Sequence, residues 1–167
     1  MNAAQDGVSR RDTGMAWGIK TSFLAYVERW SEEDAVEMAP GTGRLADGRF
    51  YFTPDPERPA GALWFRGGVR LRAHGGMLDV SVSDPRVEER GSGHVLTAAS
   101  WVEGEWTRIA FADLDWPDAD ADPAPEPGQG GAVRMLAAGA RLHVEAVAVF
   151  DGTYPAGSEL APVQVRF

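Results

Sequence analysis

The side chains of this 167-residue chain that could do chemistry are few. There are three histidines (His74, His94, His143), three tyrosines (Tyr26, Tyr51, Tyr154), a scatter of carboxylates and no cysteine. Lack of cysteine excludes disulfides, iron–sulfur clusters and thiol catalysis. The histidines stand singly, and no H-x-x-x-H or H-E-x-x-H spacing sets up a zinc site. Neither a G-x-S-x-G elbow nor a phosphate-binding P-loop occurs. Asp113 and Asp115 flank Leu114, and Asp118, Asp120 and Asp122 alternate. Such acids could hold calcium or do acid–base work. The glycine and closing glutamate of a calcium loop are missing, however, so the run reads as solvated loop. By residue type alone, Tyr26 is an aromatic on an apolar stripe and His74 a turn histidine.

The elements that must position these groups follow from periodicity. Between Trp17 and Trp30, the residues Ile19, Ser22, Phe23, Tyr26, Val27 and Trp30 recur at spacings of three and four, which predicts a helix of about three turns. The period then falls to two. Phe50–Phe52 reads as a strand ended by Pro54, and Leu63–Arg66 and Val69–Arg72 as strands split at Gly67-Gly68 by a bulge or bend. Gly75-Gly76 makes a turn. Met77–Val82 is a strand closed by Asp84-Pro85, and Val87–Arg90, His94–Val102 and Thr107–Leu114 follow through tight hairpins. This meander predicts an antiparallel sheet. Residues 117–131 read as a loop. Val133–Phe150 is ambiguous, alanine-rich first and β-branched later. Thr153–Gly157 is a turn and Val163–Phe167 a last strand. Trp64 and Trp101 read as core or dimer contacts.

Composition narrows the function classes. The net charge is −9, and Lys20 is the only lysine against fifteen arginines, a bias that reads as GC-rich coding. The sequence pI is about 4.8. Nucleic acid and anionic membrane surfaces both need clustered cations and are disfavoured. No run approaches the roughly 20 apolar residues of a membrane span. The first residues lack the apolar stretch of a secretory signal. The expected address is therefore cytoplasmic, or the cell envelope if a signal was removed.

Three blocks, in order, resemble one family. W-G-I-K-T-S-F-L-A-Y-V, beginning at Trp17, is similar to the opening helix of HtaA (haem-transport-associated) domains. G-G-V-R-L-R-A-H-G-G-M-L-D-V-S-V-S-D-P-R-V resembles their central strand–turn–strand. T-Y-P-A-G-S-E-L-A-P-V resembles their terminal block, with Ala161 where an aspartate is usual. The three blocks run from Trp17 to Val163, four residues short of Phe167. The resemblance implies an actinobacterial-type, mainly β domain that holds haem b in its ferric state, in a haem-uptake system of Gram-positive bacteria. It implies Tyr26 as axial ligand of the haem iron, His74 hydrogen-bonded to that tyrosine, and Ser22 near a propionate. Phe150 and Tyr154 are candidates for the pocket wall, while His94 and His143 are left structural.

Physical chemistry is consistent with those roles. A free phenol titrates at about 10, so a tyrosinate ligand at neutral pH depends on the metal. A histidine hydrogen bond to the phenolic oxygen adds to this and orients the ring. Ser22 and Tyr26 stand four apart, so one helix face presents both. Gly75 and Gly76 let backbone pass close to a flat macrocycle. The expectation is thus a mainly β fold of antiparallel β-sandwich-like sheets, with one N-terminal helix and a short C-terminal helix. A flexible N-terminus over residues 1–14 precedes one domain over 15–167. Its expected role is non-enzymatic: haem transfer, uptake or storage, with other haem carriers as partners and a homodimer as a further option. An interaction module that kept the fold without haem, or a haem enzyme, are the alternatives.

Overall fold

The computed structural model describes residues 14–30, 35–73, 77–117 and 135–166. Eleven strands are present: β1 (Gly14–Trp17), β2 (Val36–Met38), β3 (Thr42–Arg44), β4 (Phe50–Pro54), β5 (Leu63–Arg66), β6 (Gly68–Ala73), β7 (Leu78–Arg90), β8 (Gly93–Val102), β9 (Glu105–Asp115), β10 (Met135–Leu142) and β11 (Glu159–Arg166). Among the described residues one α-helix, α1 (Thr21–Trp30), follows β1, and a single 3-10 turn spans Val144–Ala146. Every pairing is antiparallel. The order β7-β5-β4-β1-β11-β10-β9-β8 returns to β7, so the sheet closes as a barrel. The two layers expected to stack are opposite walls of that barrel. β6 and β2 extend from β7 as a side sheet, and β3 pairs with β4.

The expected alternation builds the interior. Met15 and Trp17 of β1 stand opposite Phe52 and Phe50 of β4, and opposite Val165 and Val163 of β11. All six are fully buried. The Trp17 indole keeps its polar end satisfied by donating to the Ala161 carbonyl at 2.8 Å. In the ambiguous segment the first part is strand: Ala138, Ala140 and Leu142 point inward, with Gly139 and Arg141 outward. Alanine's helix preference is a weak prior that tertiary pairing overrides. The expected C-terminal helix is the one 3-10 turn and the turns that follow it.

Two boundaries differ from the periodicity. Trp17 belongs to β1, and the helix begins at Thr21. Between them Ile19 takes φ 62°, a rare conformation for a β-branched residue. Its side chain is fully buried and its carbonyl accepts from Ala161 N–H at 2.8 Å, which holds this corner. Gly14, expected within the flexible start, is the first residue of β1; residues 1–13 lie outside the described residues.

Asp84-Pro85 does not end a strand. β7 runs through it with a bulge, Asp84 at φ 48° and a register shift between Ser83 and Arg86. A bulge tolerates the missing proline N–H. Gly67, at φ 126°, faces this bulge: its N–H donates to Asp84 Oδ1 at 3.2 Å and its carbonyl accepts from Asp84 N–H at 2.8 Å. A Cβ on Gly67 would lie 2.1 Å from Thr42 Oγ1 and 3.0 Å from Gly41 backbone. Gly67→Ala is therefore expected to cost about 2 kcal/mol, read as a lower denaturation midpoint at unchanged slope. An unchanged midpoint would show that this junction yields freely.

Of the surface tryptophans, Trp64 is half-buried beneath the Arg86 guanidinium, 3.7 Å from its ring centre. Trp101 is exposed and meets Trp106 edge-on across the β8–β9 hairpin at 5.6 Å. Neither is in the core.

Candidate functional site

Helix α1 buries Phe23, Leu24 and Val27 and exposes Ser22 and Tyr26. Packing one face of a ten-residue helix onto the barrel leaves the flanking residues at the surface. Tyr26, although in the apolar stripe, is 39% exposed. Ser22 stands one turn before it on the same outward flank.

Tyr154 comes to this helix from the turn before β11. Its ring packs edge-on against Phe23 at 6.3 Å and Phe150 at 5.9 Å. Burial pushes the Tyr154 phenol above its usual value, and the charge of a nearby Tyr26 phenolate adds to that rise. Tyr26 and Tyr154 are thus electrostatic neighbours, and Tyr154 stays a neutral hydroxyl through the neutral range. Phe150 lies deeper, 1% exposed, in edge-on contact with Phe23 at 5.1 Å and Phe111 at 6.4 Å. It backs Phe23 and Tyr154 from the core. His74, the residue after the last of β6, lies outside the described residues, as do the acids Asp118, Asp120 and Asp122.

Two neighbours lie within the opening motif block but were given no role from it. Phe23 forms the apolar floor beside Tyr154. Lys20 sits at the cap of α1, where its carbonyl accepts from Leu24 N–H. Its ammonium lies 5.0 Å from the Tyr154 ring centre and donates to the Glu159 carbonyl at 2.9 Å. Its status as the only lysine was the available signal.

The segment that delivers Phe150 and Tyr154 is pinned at its start. His143 N–H donates to the Phe111 carbonyl at 2.9 Å, and His143 Nδ1 accepts from Glu145 N–H at 3.1 Å. Glu145 Oε2 accepts from Ala110 N–H at 2.7 Å, and Arg90 donates to Oε1 at 3.2 Å. The Ala110 N–H holds the Glu145 carboxyl below the usual glutamate range, with Arg90 and His143 assisting and partial burial opposing. A depressed carboxylate contributes stability above its unfolded value and loses it as pH falls through the folded value. Glu145→Gln is expected to cost up to about 1 kcal/mol near neutral pH and nothing in strong acid. Parallel stability–pH curves for the two proteins would refute that role. His94 stacks tilted on Trp116 at 5.6 Å and stands apart from this group.

A concavity of about 450 Å³ opens at the β10–β11 bulge, lined by Asp115, Gly139, Arg141, Gly157, Glu159 and Pro162. None of Ser22, Tyr26, Phe150 or Tyr154 lines it. The surface around Tyr26 combines a phenol, an aromatic floor and a cation, and is the better candidate. Among the described residues no cluster of three or more His, Asp or Glu could hold a metal ion. No helix there is long and apolar enough to cross a membrane.

Comparison with known proteins agrees with the fold. The C-terminal domain of HtaA from Corynebacterium glutamicum superposes with a TM-score of 0.66 at 20% identity, covering 93% of this chain and 95% of that one. The haem-binding protein HtaB from the same organism gives 0.69 at 19%, covering 92% and 91%. The N-terminal domain of HtaA gives 0.68 at 22%, covering 92% and 96%. No curated protein matches the chain. The family profile described as Htaa matches residues 12–166, nearly the whole length, and the chain belongs to the HtaA domain family.

Proposed function

We propose that this domain binds ferric haem b through Tyr26 and serves haem transfer, uptake or storage rather than catalysis. The observation that carries this reading is the placement of Tyr26. In an HtaA-family chain, its phenol is exposed on the flank of an otherwise buried helix, beside the aromatic floor of Phe23 and Tyr154. An anionic oxygen donor suits a ferric ion, and the aromatic floor suits the flat apolar macrocycle. The likeness to HtaB, a haem-binding protein of the same fold, supports the same ligand.

In this reading Tyr26 ligates the iron as a phenolate. His74 donates to the phenolate oxygen and sets the ring orientation, and Ser22 meets a propionate. Tyr154 forms the wall, and Phe150 contributes from behind it. The haem, when bound, supplies the iron; the chain's own residues bind it, orient it and shield its apolar face. Other haem-carrier proteins are the partners this role requires.

Titration of the purified domain with ferric haem, followed by absorbance, tests the proposal. Saturation at one haem per chain with the bands of a phenolate-ligated ferric haem is the expected result. No uptake would overturn haem binding and leave a domain that uses its surface for a protein partner. Peroxide turnover well above that of free haem would overturn the non-enzymatic part.

A further inference from the structure

We infer that Lys20 is a charge-reading residue of this site, the cation that takes one propionate carboxylate of the bound tetrapyrrole. The inference rests on the haem-binding reading and adds a specificity determinant to it.

Lys20 is half-buried, and its ammonium has no carboxylate partner among the described residues. By contrast, Arg44, Arg49, Arg66, Arg70, Arg72 and Arg90 each sit against a carboxylate. Among the described residues Arg58, Arg86 and Arg108 likewise make no ion pair with a carboxylate, so what sets Lys20 apart is its place against Tyr154 at the cap of the helix that carries Tyr26. Partial removal of a charge from water costs free energy unless it is matched. Among the described residues its matches are one carbonyl and one aromatic face.

Those two contacts also fix the ammonium. The Glu159 carbonyl at the start of β11 takes one N–H, and the Tyr154 ring stands 5.0 Å from the nitrogen. An ammonium has three donors, so capacity for a further acceptor remains. The strained corner at Ile19 and the cap bond from Leu24 N–H hold the lysine backbone at the mouth of α1.

Position completes the case. Tyr154 packs on Phe23 and under Lys20, and it senses the charge of Tyr26. Its ring therefore links the lysine to Phe23, on the helix that carries the proposed iron ligand. Lys20 precedes Tyr26 by six residues, about 9 Å of helix rise. That separation suits a disc held at its centre by Tyr26 with carboxylates hanging from one edge. Ser22, an exposed residue, stands between the two in the chain. The ligand class selected is a planar macrocycle with acidic side chains, in preference to an uncharged one.

The test compares ferric haem with its dimethyl ester in the same dilute detergent, titrated into wild type, Lys20→Met and Lys20→Arg. The wild type is expected to favour haem over the ester. Lys20→Met should weaken haem about tenfold, the worth of one charge-assisted bond, and leave the ester unchanged. Lys20→Arg should recover most of the preference. Thermal midpoints within a few degrees of wild type establish that the variants fold, and Lys20→Gln replaces Lys20→Met if that variant does not. Equal weakening of haem and ester would overturn the inference, because Lys20 would then act only by holding Tyr154. An unchanged haem affinity would overturn it too, while leaving haem binding intact. A wild type that takes up neither compound removes the haem reading itself.

Discussion

Tyr26→Phe is expected to lose at least about 100-fold in ferric haem affinity, together with the absorbance signature of a phenolate ligand. The scale follows from metal sites generally. Changes in the groups that merely orient a ligand cost about 10–100-fold, and removing the ligand atom should cost more. The fold should not suffer. Tyr26 is 39% exposed, and substitutions at such positions usually move stability by no more than about 0.5 kcal/mol. Phenylalanine retains the ring against α1 and its neighbours, so the change isolates the oxygen. Tyr26→Ala should behave alike toward haem. A His74 variant should fall within the 10–100-fold range, because the iron ligand remains. A Tyr26→Phe protein that keeps the wild-type haem spectrum would refute the ligand assignment.

Phe150→Ala is expected to destabilise the domain by about 3–5 kcal/mol. At this chain length that corresponds to a fall in thermal midpoint of roughly 10 °C. Phe150 is 1% exposed and makes edge-on contacts with Phe23, Phe111 and Tyr154. Truncation opens a void between the barrel wall and the helix that carries Tyr26, and the surroundings relax only in part. Haem affinity should fall as well, since Phe23 and Tyr154 lose their backing. Phe150→Leu should restore most of the stability. A small change in midpoint for Phe150→Ala, with a large loss of haem affinity, would instead place Phe150 in direct contact with the ligand. The Tyr26 and Phe150 variants thus fail in opposite ways, one in chemistry at constant stability and the other in stability first.

The contrast between Phe150 and Tyr154 shows how far the site was legible. Both are aromatics in the C-terminal third, and nothing in their local pattern separates them. The pairing of β10 with β11 and the pinning of the intervening segment through His143 and Glu145 put Phe150 inside and Tyr154 at the surface. Lys20 was marked only by its place in the opening motif block and by being the only lysine. Its lack of a carboxylate partner depends on what β11 brings near it, and β11 is more than a hundred residues away in sequence.

Alternation and helical periodicity are properties of neighbouring residues. For that reason the mainly β character, the helix carrying Ser22, Phe23 and Tyr26, and most of the strands between Phe50 and Leu114 were readable from the chain alone. The three ordered motif blocks were readable too, and with them the family. Closure of the sheet was not, because it rests on pairings such as β1 with β11 and β5 with β7. Nor was the passage of β7 through Asp84-Pro85, which depends on hydrogen bonds with Gly67 at the link between β5 and β6. Local patterns record which way a residue wants to face. Which residues it then meets is set by loop closure and packing over the whole chain, and only the tertiary structure decided that Tyr26, Tyr154 and Lys20 share one surface.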